Sequence, residues 1–487
     1  MIGKQIAETI TSNYHLISAE ENNSELNFNC RCNDFIREPE NLKRQLDKIS
    51  NRDTFTIEIL FGHTDNPSSL SEKESTEIEK FLDSIKRNEK LIEENETAII
   101  KIKISKNTLR KTTSVYSLEH LVDYWSKGSP YETLEKISSF SKNNQELETF
   151  GIDRTITTSL FRFIPAGLEP TREGQKETRE DFFLKRDKIC HFANGNEFDF
   201  IPGDFRFAQK PPSDRLEKLF KSLSQIFSLI YICNYSKIDK NGNIELKLNG
   251  YKQISKTISS LTNLNTKSSE DYFEIFSWAY KEGNISDKVG IARNIISIHL
   301  SNDDLLEIQD GAISSIQSNY QIYLKDNLKQ YIDIKSKISE SIQKSSDKAG
   351  EMVKQIGTQF RASIFSIYSF FFTVFLLRAI TKNEADFSVS TGLYVIFILF
   401  IAITIAVYFY SLKELKKEET RFKSSYASLK KRYSDLISES DLKRILNNDK
   451  DHEDDLDFIN QGRISTAKLW RIMILVIAMV MTALWLK

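Results

Sequence analysis

Three long apolar runs interrupt an otherwise polar chain. Ala362 to Ile380 (ASIFSIYSFFFTVFLLRAI) has no charge before Arg378, and Thr391 to Ser411 (TGLYVIFILFIAITIAVYFYS) has none at all. Leu469 to Leu486 is bracketed by Trp470 and Trp485, ~22 Å apart at 1.5 Å per helical residue. Each run approaches the ~20 residues that cross ~30 Å of hydrocarbon. The pattern therefore predicts transmembrane helices at about 362–380, 391–411 and 469–486, with the two tryptophans as interfacial anchors.

The flanking segments carry a helical period. Between Ala312 and Arg361 there is no proline, and Ile316, Tyr320, Tyr323, Tyr331, Ile334, Ile338, Ile342, Met352 and Ile356 recur mostly three, four or seven to eight apart. This predicts a helical stalk over 312–361, one helix or two stacked ones, with Gly350 and Gly357 as the expected bends. After the second run, Leu412, Leu415, Phe422, Tyr426, Leu429, Tyr433 and Leu436 form a coiled-coil-like a/d stripe on a helix placed at 412–445. Such a stripe needs a partner, either the preceding stalk or the same helix of a neighbouring copy.

Nearer the start the period changes to two. Leu26–Cys32, Thr54–Phe61 and Ala98–Lys106 alternate as strands, and Leu118–Lys127 reads as a helix, so 1–208 is expected to be an α+β domain. Loops are expected at Thr64–Thr76, Pro165–Glu180 and Pro202–Ser213, the last marking a domain boundary. Residues 209–311 read as mainly helical, with a hairpin turned by Asn241 and Gly242 and a helix Asp287–Leu300 capped by Ser286. Stalk 312–361 and membrane domain 362–487 complete the division.

Composition adds a location. In 487 residues, 67 Lys and Arg oppose 68 Asp and Glu, and the net charge of -1 gives no whole-chain argument for nucleic acid. Abundant Lys, Asn, Ile and Ser fit an AT-rich bacterial gene. The four cysteines are too few for a disulfide framework, and the first residues lack a secretory h-region. Residues 381–390 hold a single Lys382, whereas 412–465 is rich in Lys and Arg, which by the positive-inside rule keeps the N-terminal body in the cytosol. The 381–390 hairpin and Lys487 then lie outside the cytoplasmic membrane. The acidic stretch Asp449, Asp451, Glu453, Asp454, Asp455 and Asp457, just inside the third span, is expected as a solvated loop, with the gathering of cations at a pore mouth as the functional alternative.

Candidate chemistry is sparse. There is no phosphate loop, GxGxxG, HExxH, GxSxG or paired CxxC, so neither a cofactor nor a metal is expected. Asp239 with Glu245-Leu246-Lys247 only loosely matches metal-dependent nucleases. Arg186, Lys188 and Arg206 are basic residues able to meet phosphates. In the first span Ser363, Ser366, Ser369 and Thr373 lie along one helical face and are the candidate pore-lining residues. Arg293-Asn294-Ile295-Ile296-Ser297-Ile298-His299 resembles the R[N/D/H]-x-H pattern of HEPN ribonucleases, helical bundles of bacterial defence, and Arg186 to His191 repeats the idea less well. The resemblance implies metal-independent RNA cleavage, with His299 moving a proton, Arg293 on the scissile phosphate and Asn294 orienting them.

The arrangement of body, stalk and three spans resembles membrane effectors of antiphage defence, the Hailong-type channels among them. It implies a homo-oligomer in the lipid bilayer whose body senses a nucleotide or oligonucleotide and opens a depolarising pore; no residues are assigned to that ligand. A membrane-anchored ribonuclease and a scaffold for a partner protein of the same operon are the alternatives. Enzymatic activity is not the leading expectation.

Overall fold

A computed structural model describes residues 1–62, 66–92, 96–107, 112–143, 146–168, 179–381 and 389–486. Lys382, most of the 381–390 hairpin, and Lys487, on which the orientation argument draws, lie outside them. The chain forms two compact units, Met1–Ile322 and Tyr323–Lys487. The first is α+β; the second is helical, and among the described residues three helices are long and apolar enough to cross a membrane.

The first unit opens with α1 (Ile2–Ile10), β1 (Tyr14–Glu21), β2 (Glu25–Cys32), α2 (Pro39–Leu46), β3 (Thr54–Phe61), β4 (Ser68–Leu70), α3 (Ser75–Asn88) and β5 (Ala98–Ser105). Antiparallel pairing gives the sheet order β1-β2-β5-β3-β4. Because side chains alternate across a strand, Phe28, Ile102 and Ile57 stand in register on one face, while Asn29, Lys101 and Glu58 stand on the other. Helices α1, α2 and α3 cover the apolar face with Ile6, Leu42, Leu46, Ile78 and Phe81. A Cβ at Gly3 would come within 2.8 Å of Phe28, so glycine is what lets α1 lie this close.

Next come β6 (Thr112–Val115), α4 (Leu118–Ser126), α5 (Pro130–Asn143), β7 (Glu146–Thr149), β8 (Ile156–Thr157), β9 (Arg162–Pro165), α6 (Arg179–Ile189) and β10 (His191–Phe192). They are followed by α7 (Asp214–Ile232), β11 (Tyr235–Ile238), β12 (Ile244–Asn249), β13 (Gln253–Ile258), α8 (Ser269–Tyr280) and α9 (Ile285–Ile296). Two small sheets, β6-β7-β9-β8 and β10-β11-β12-β13, share one core around the long buried helix α7. The boundary expected at 208 falls inside this core. Phe205 packs on Phe220 and Phe227 at 5.6 and 5.5 Å, and Phe207 stacks on Phe220 at 4.9 Å, so aromatic anchors hold the Pro- and Ser-rich segment in place. The division between cores falls near Tyr116 instead.

At that division Glu21 and Lys106 form an ion pair of 2.6 Å with both side chains fully buried. Lys106 also donates to the Asn22 carbonyl, and Glu21 accepts the Tyr116 backbone N–H. Burial pushes the Glu21 carboxyl above its ordinary range, with the ammonium opposing.

The chain enters the second unit within α10 (Ala312–Thr381), a single 70-residue helix that passes through Gly350 and Gly357 unbroken. Then come α11 (Thr391–Ser434), α12 (Glu439–Ile445) and α13 (Lys450–Trp485). The helix expected over 412–445 is therefore broken at 435–438, where Ser438 caps α12 by accepting the Asp441 N–H. The acidic stretch expected as a loop is the start of α13 from Lys450 onward, where carboxylates suit the positive helix N-terminus.

The a/d stripe finds its partners within the chain. Ile334, Ile338 and Ile342 pack with Tyr426, Leu429 and Tyr433; Met352 and Ile356 with Leu415 and Phe422; Phe371 with Phe397. Numbers rising along α10 meet numbers falling along α11, so the pair is antiparallel. Helix α13 joins as a third member through Ile459, Trp470 and Met481. At Gly462 a Cβ would approach Val353 to 2.6 Å. Trp470, expected at the interface, is fully buried against Phe360 and Tyr408. Trp485 stacks on Tyr394 at 4.8 Å.

Lys106→Met should lower the unfolding free energy by about 3 to 5 kcal/mol in chemical denaturation, because it leaves Glu21 buried without its cation. The paired change Glu21→Leu with Lys106→Met should cost much less. A second expectation concerns the residue just before α13, Asp449, which accepts Lys430 at 2.6 Å and the Tyr426 hydroxyl at 2.8 Å. The Lys430 hydrogen bond holds its carboxyl below the usual range, so this stabilisation exists above the unfolded value of about 3.9 and is lost as pH falls through the lower folded value. The melting-temperature gap between wild type and Asp449→Asn should close in acid.

Candidate functional site

The spans define the first candidate. Within α10, Ser366, Ser369 and Thr373 are exposed on the helix surface and Ser363 is half-buried, while the interior side of the span meets its neighbours through Ile367 and Phe371. The hydroxyls that share a face in the sequence thus share a face of the three-helix unit, and that face is turned away from its core. Ser366 Oγ donates to the Ala362 carbonyl at 2.9 Å, and Thr373 Oγ1 to the Ser369 carbonyl at 2.8 Å. Each donor is satisfied as hydrocarbon requires, and each oxygen retains acceptor capacity on the helix exterior.

The Arg293 motif is placed differently from its sequence reading. Its helix is Ile285–Ile296, capped by Asn284 rather than Ser286, so His299 lies beyond the helix end. Arg293 is 9% exposed; Nε donates to the Ile232 carbonyl at 2.7 Å, and Nη2 to the Ile189 and Cys233 carbonyls at 2.8 and 3.2 Å. These three acceptors are chain ends of α6 and α7, which the guanidinium joins to α9. Asn294 is half-buried, and His299 Nδ1 lies 3.0 Å from the Ile295 carbonyl.

The second copy of the motif is also structural in its setting. Arg186 is buried at the end of α6 over the rings of Phe183, Phe192 and Tyr231, each at 5.6 Å. His191 is exposed on β10 and stacks on Tyr235. Between the two arginines sits Cys190, whose Sγ is 3.4 Å from Arg293 Nη2; burial nonetheless pushes this thiol up.

Other candidates dissolve into local roles. Asp239 accepts the Asn241 and Asn243 N–H groups in the hairpin turn, where Gly242 takes φ +78°, and Glu245 pairs with Lys237. Cys30 and Cys32 share the buried face of β2, and burial pushes their thiols up to about 11 and about 12. Among the described residues no cluster of His, Cys, Asp and Glu could hold a metal ion.

One site escaped the sequence reading. A cavity of about 230 Å³ lies beside the 205–211 segment, α7 and the start of α8, bringing together Arg206, Lys221, Ser224 and Ser269 from separate stretches. The sequence singles out only Arg206 among them, as one of several dispersed basic residues. Comparison with known proteins finds no matching family, no matching curated protein and no matching solved structure.

Arg293→Met should lower the stability of the protein by about 3 kcal/mol, since it leaves buried carbonyls without donors, whereas His299→Ala should cost about 1 kcal/mol. Thermal unfolding followed by circular dichroism distinguishes these; equal losses would remove the structural role assigned to Arg293.

Proposed function

We propose that this protein is a membrane effector of bacterial antiphage defence, in which a nucleotide or oligonucleotide signal received by the first unit opens an ion-conducting pore built from several copies. The observation that carries this reading is the exposed hydroxyl face of α10. In a lone three-helix unit those groups would meet lipid, whereas in a ring of copies they line a polar path. Residues Leu324, Leu328 and Ile332, spaced four apart and 41, 58 and 54% exposed, offer a second surface on the same helix for contact between copies. Passage of the chain from the first unit to the spans inside one helix gives a ligand a direct route to the pore.

In this reading the protein resides in the inner membrane with its first unit in the cytosol and its C-terminus outside. The basic residues Lys413, Lys416, Lys417 and Arg421, which follow the second span, favour that orientation. A ribonuclease is supported less well, because Nε and Nη2 of Arg293 are already committed to backbone carbonyls rather than free for a phosphate.

Induction in bacterial cells, with membrane potential and total RNA followed together, tests the proposal. Rapid depolarisation with intact RNA is expected, abolished by Ser366→Leu with Thr373→Leu and unchanged by His299→Ala. RNA fragmentation that precedes depolarisation and vanishes in His299→Ala would overturn it.

A further inference from the structure

A single layer of side chains joins the three long helices of the second unit where their apolar runs begin. Trp470 of α13 lies 5.6 Å from Phe360 of α10 and 5.6 Å from Tyr408 of α11, with Leu412 and Ala467 in the same cluster. Helices α10 and α13 enter their apolar runs here and α11 leaves its own, so the layer marks one depth on all three. Trp470 faces inward, and α13 presents other residues outward at this depth.

Within one helical turn of the layer stand Arg361 on α10, Lys413 and Lys416 on α11, and Lys468 and Arg471 on α13, all of them exposed. Among the described residues none of these five cations has a carboxylate within ion-pair distance. Farther from the apolar runs, by contrast, Lys423 and Arg463 share Glu419 at 2.8 and 3.1 Å. The carboxylate nearest the layer, Glu414, is half-buried and accepts a hydrogen bond from Gln359 Nε2 at 3.3 Å. The two arginines reach back alike: Arg361 Nε donates to the Gly357 carbonyl and Arg471 Nε to the Ala467 carbonyl, each at 3.3 Å and each four residues away from the apolar run. Long basic side chains snorkel in this way to keep their charge out of hydrocarbon. Anchoring Nε also fixes the plane of each guanidinium, the fork that meets a phosphate.

A cation at the edge of hydrocarbon is only partly hydrated, so its charge calls for a nearby anion. The anion always at hand there is the phosphodiester of a lipid headgroup, and an excess of cations favours headgroups of net negative charge over zwitterionic ones. We propose that Arg361, Lys413, Lys416, Lys468 and Arg471 form a collar that binds anionic phospholipids of the phosphatidylglycerol type where the three helices enter the bilayer. The proposal rests on reading these helices as membrane spans, and it is independent of the pore.

The test uses the full-length protein in vesicles of dioleoylphosphatidylcholine carrying a trace of spin-labelled phosphatidylglycerol or spin-labelled phosphatidylcholine. Electron paramagnetic resonance separates lipid held at the protein surface from lipid of the bulk. Phosphatidylglycerol should be preferred about fivefold at low salt, the factor that one Lys or Arg near a charged headgroup supplies, and less than about twofold at ~0.5 M salt, where exposed charges are screened. The pair Arg361→Gln with Arg471→Gln, and separately the pair Lys413→Gln with Lys468→Gln, should each reduce the preference by about half. The lysine pair makes no hydrogen bond among the described residues, so it tests the collar even where the arginine pair lowers the melting temperature. Lys423→Gln, outside the collar and already paired with Glu419, should leave the preference unchanged. Equal retention of the two lipids at low salt, or a preference that survives the lysine pair intact, would overturn the collar and leave the spans. Absence of retained lipid of either kind would remove the spans and the collar together.

Discussion

Hydrocarbon offers no partner to a peptide group, and that constraint organises the second unit. Every N–H and C=O that crosses the bilayer must be paired inside its own segment, so the apolar runs become helices, and helices once formed continue beyond the membrane at little extra cost. Continuation explains why α10, α11 and α13 extend well past their apolar stretches. It also explains the core of the unit, a seam that changes from Ile, Leu and Tyr near Ile338 to Phe and Met near Phe371 without changing its helical period.

The first unit solves a different problem, joining two cores that each bury their own sheets. Its joint is polar. Glu21, Lys106 and Tyr116 meet there, and the Tyr116 hydroxyl donates to Asp53 while accepting the Ser50 N–H. A buried charge tolerates few alternative arrangements, since any shift leaves it unpaired, so the polar joint selects one docking of the cores where apolar contact alone would permit sliding.

Legibility in the sequence followed the range of the interactions. Strands β2, β3 and β5 and the three spans were visible because their periodicity is local and uniform, and the α+β then helical order was recovered with them. The partner of the a/d stripe was not fixed, because a stripe shows only that a helix has an apolar side; the extension of α13 upstream of its span, from Lys450, was hidden behind its acidic first turns. The boundary at 208 misled for the converse reason: proline and serine mark a loop, and only Phe205 and Phe207, packing on distant Phe220 and Phe227, reveal that the loop belongs to a core. At the sites the same logic holds. The Ser366 face needs one helical wheel, whereas the cavity at Ser224 is assembled from 205–211, α7 and α8, which no local pattern connects.

Gly462 sits where α13 comes so near Val353 that any side chain would collide. Sliding α13 by one residue would bring Gln461 or Arg463 into that gap, so the helix has a single permitted register against its neighbours. Lengthening or shortening the 435–449 connection therefore cannot be absorbed by slippage and must be taken up as slack in the connection itself. Evolution of this membrane unit is constrained accordingly: a length change within α13 upstream of Gly462 would displace the glycine from Val353.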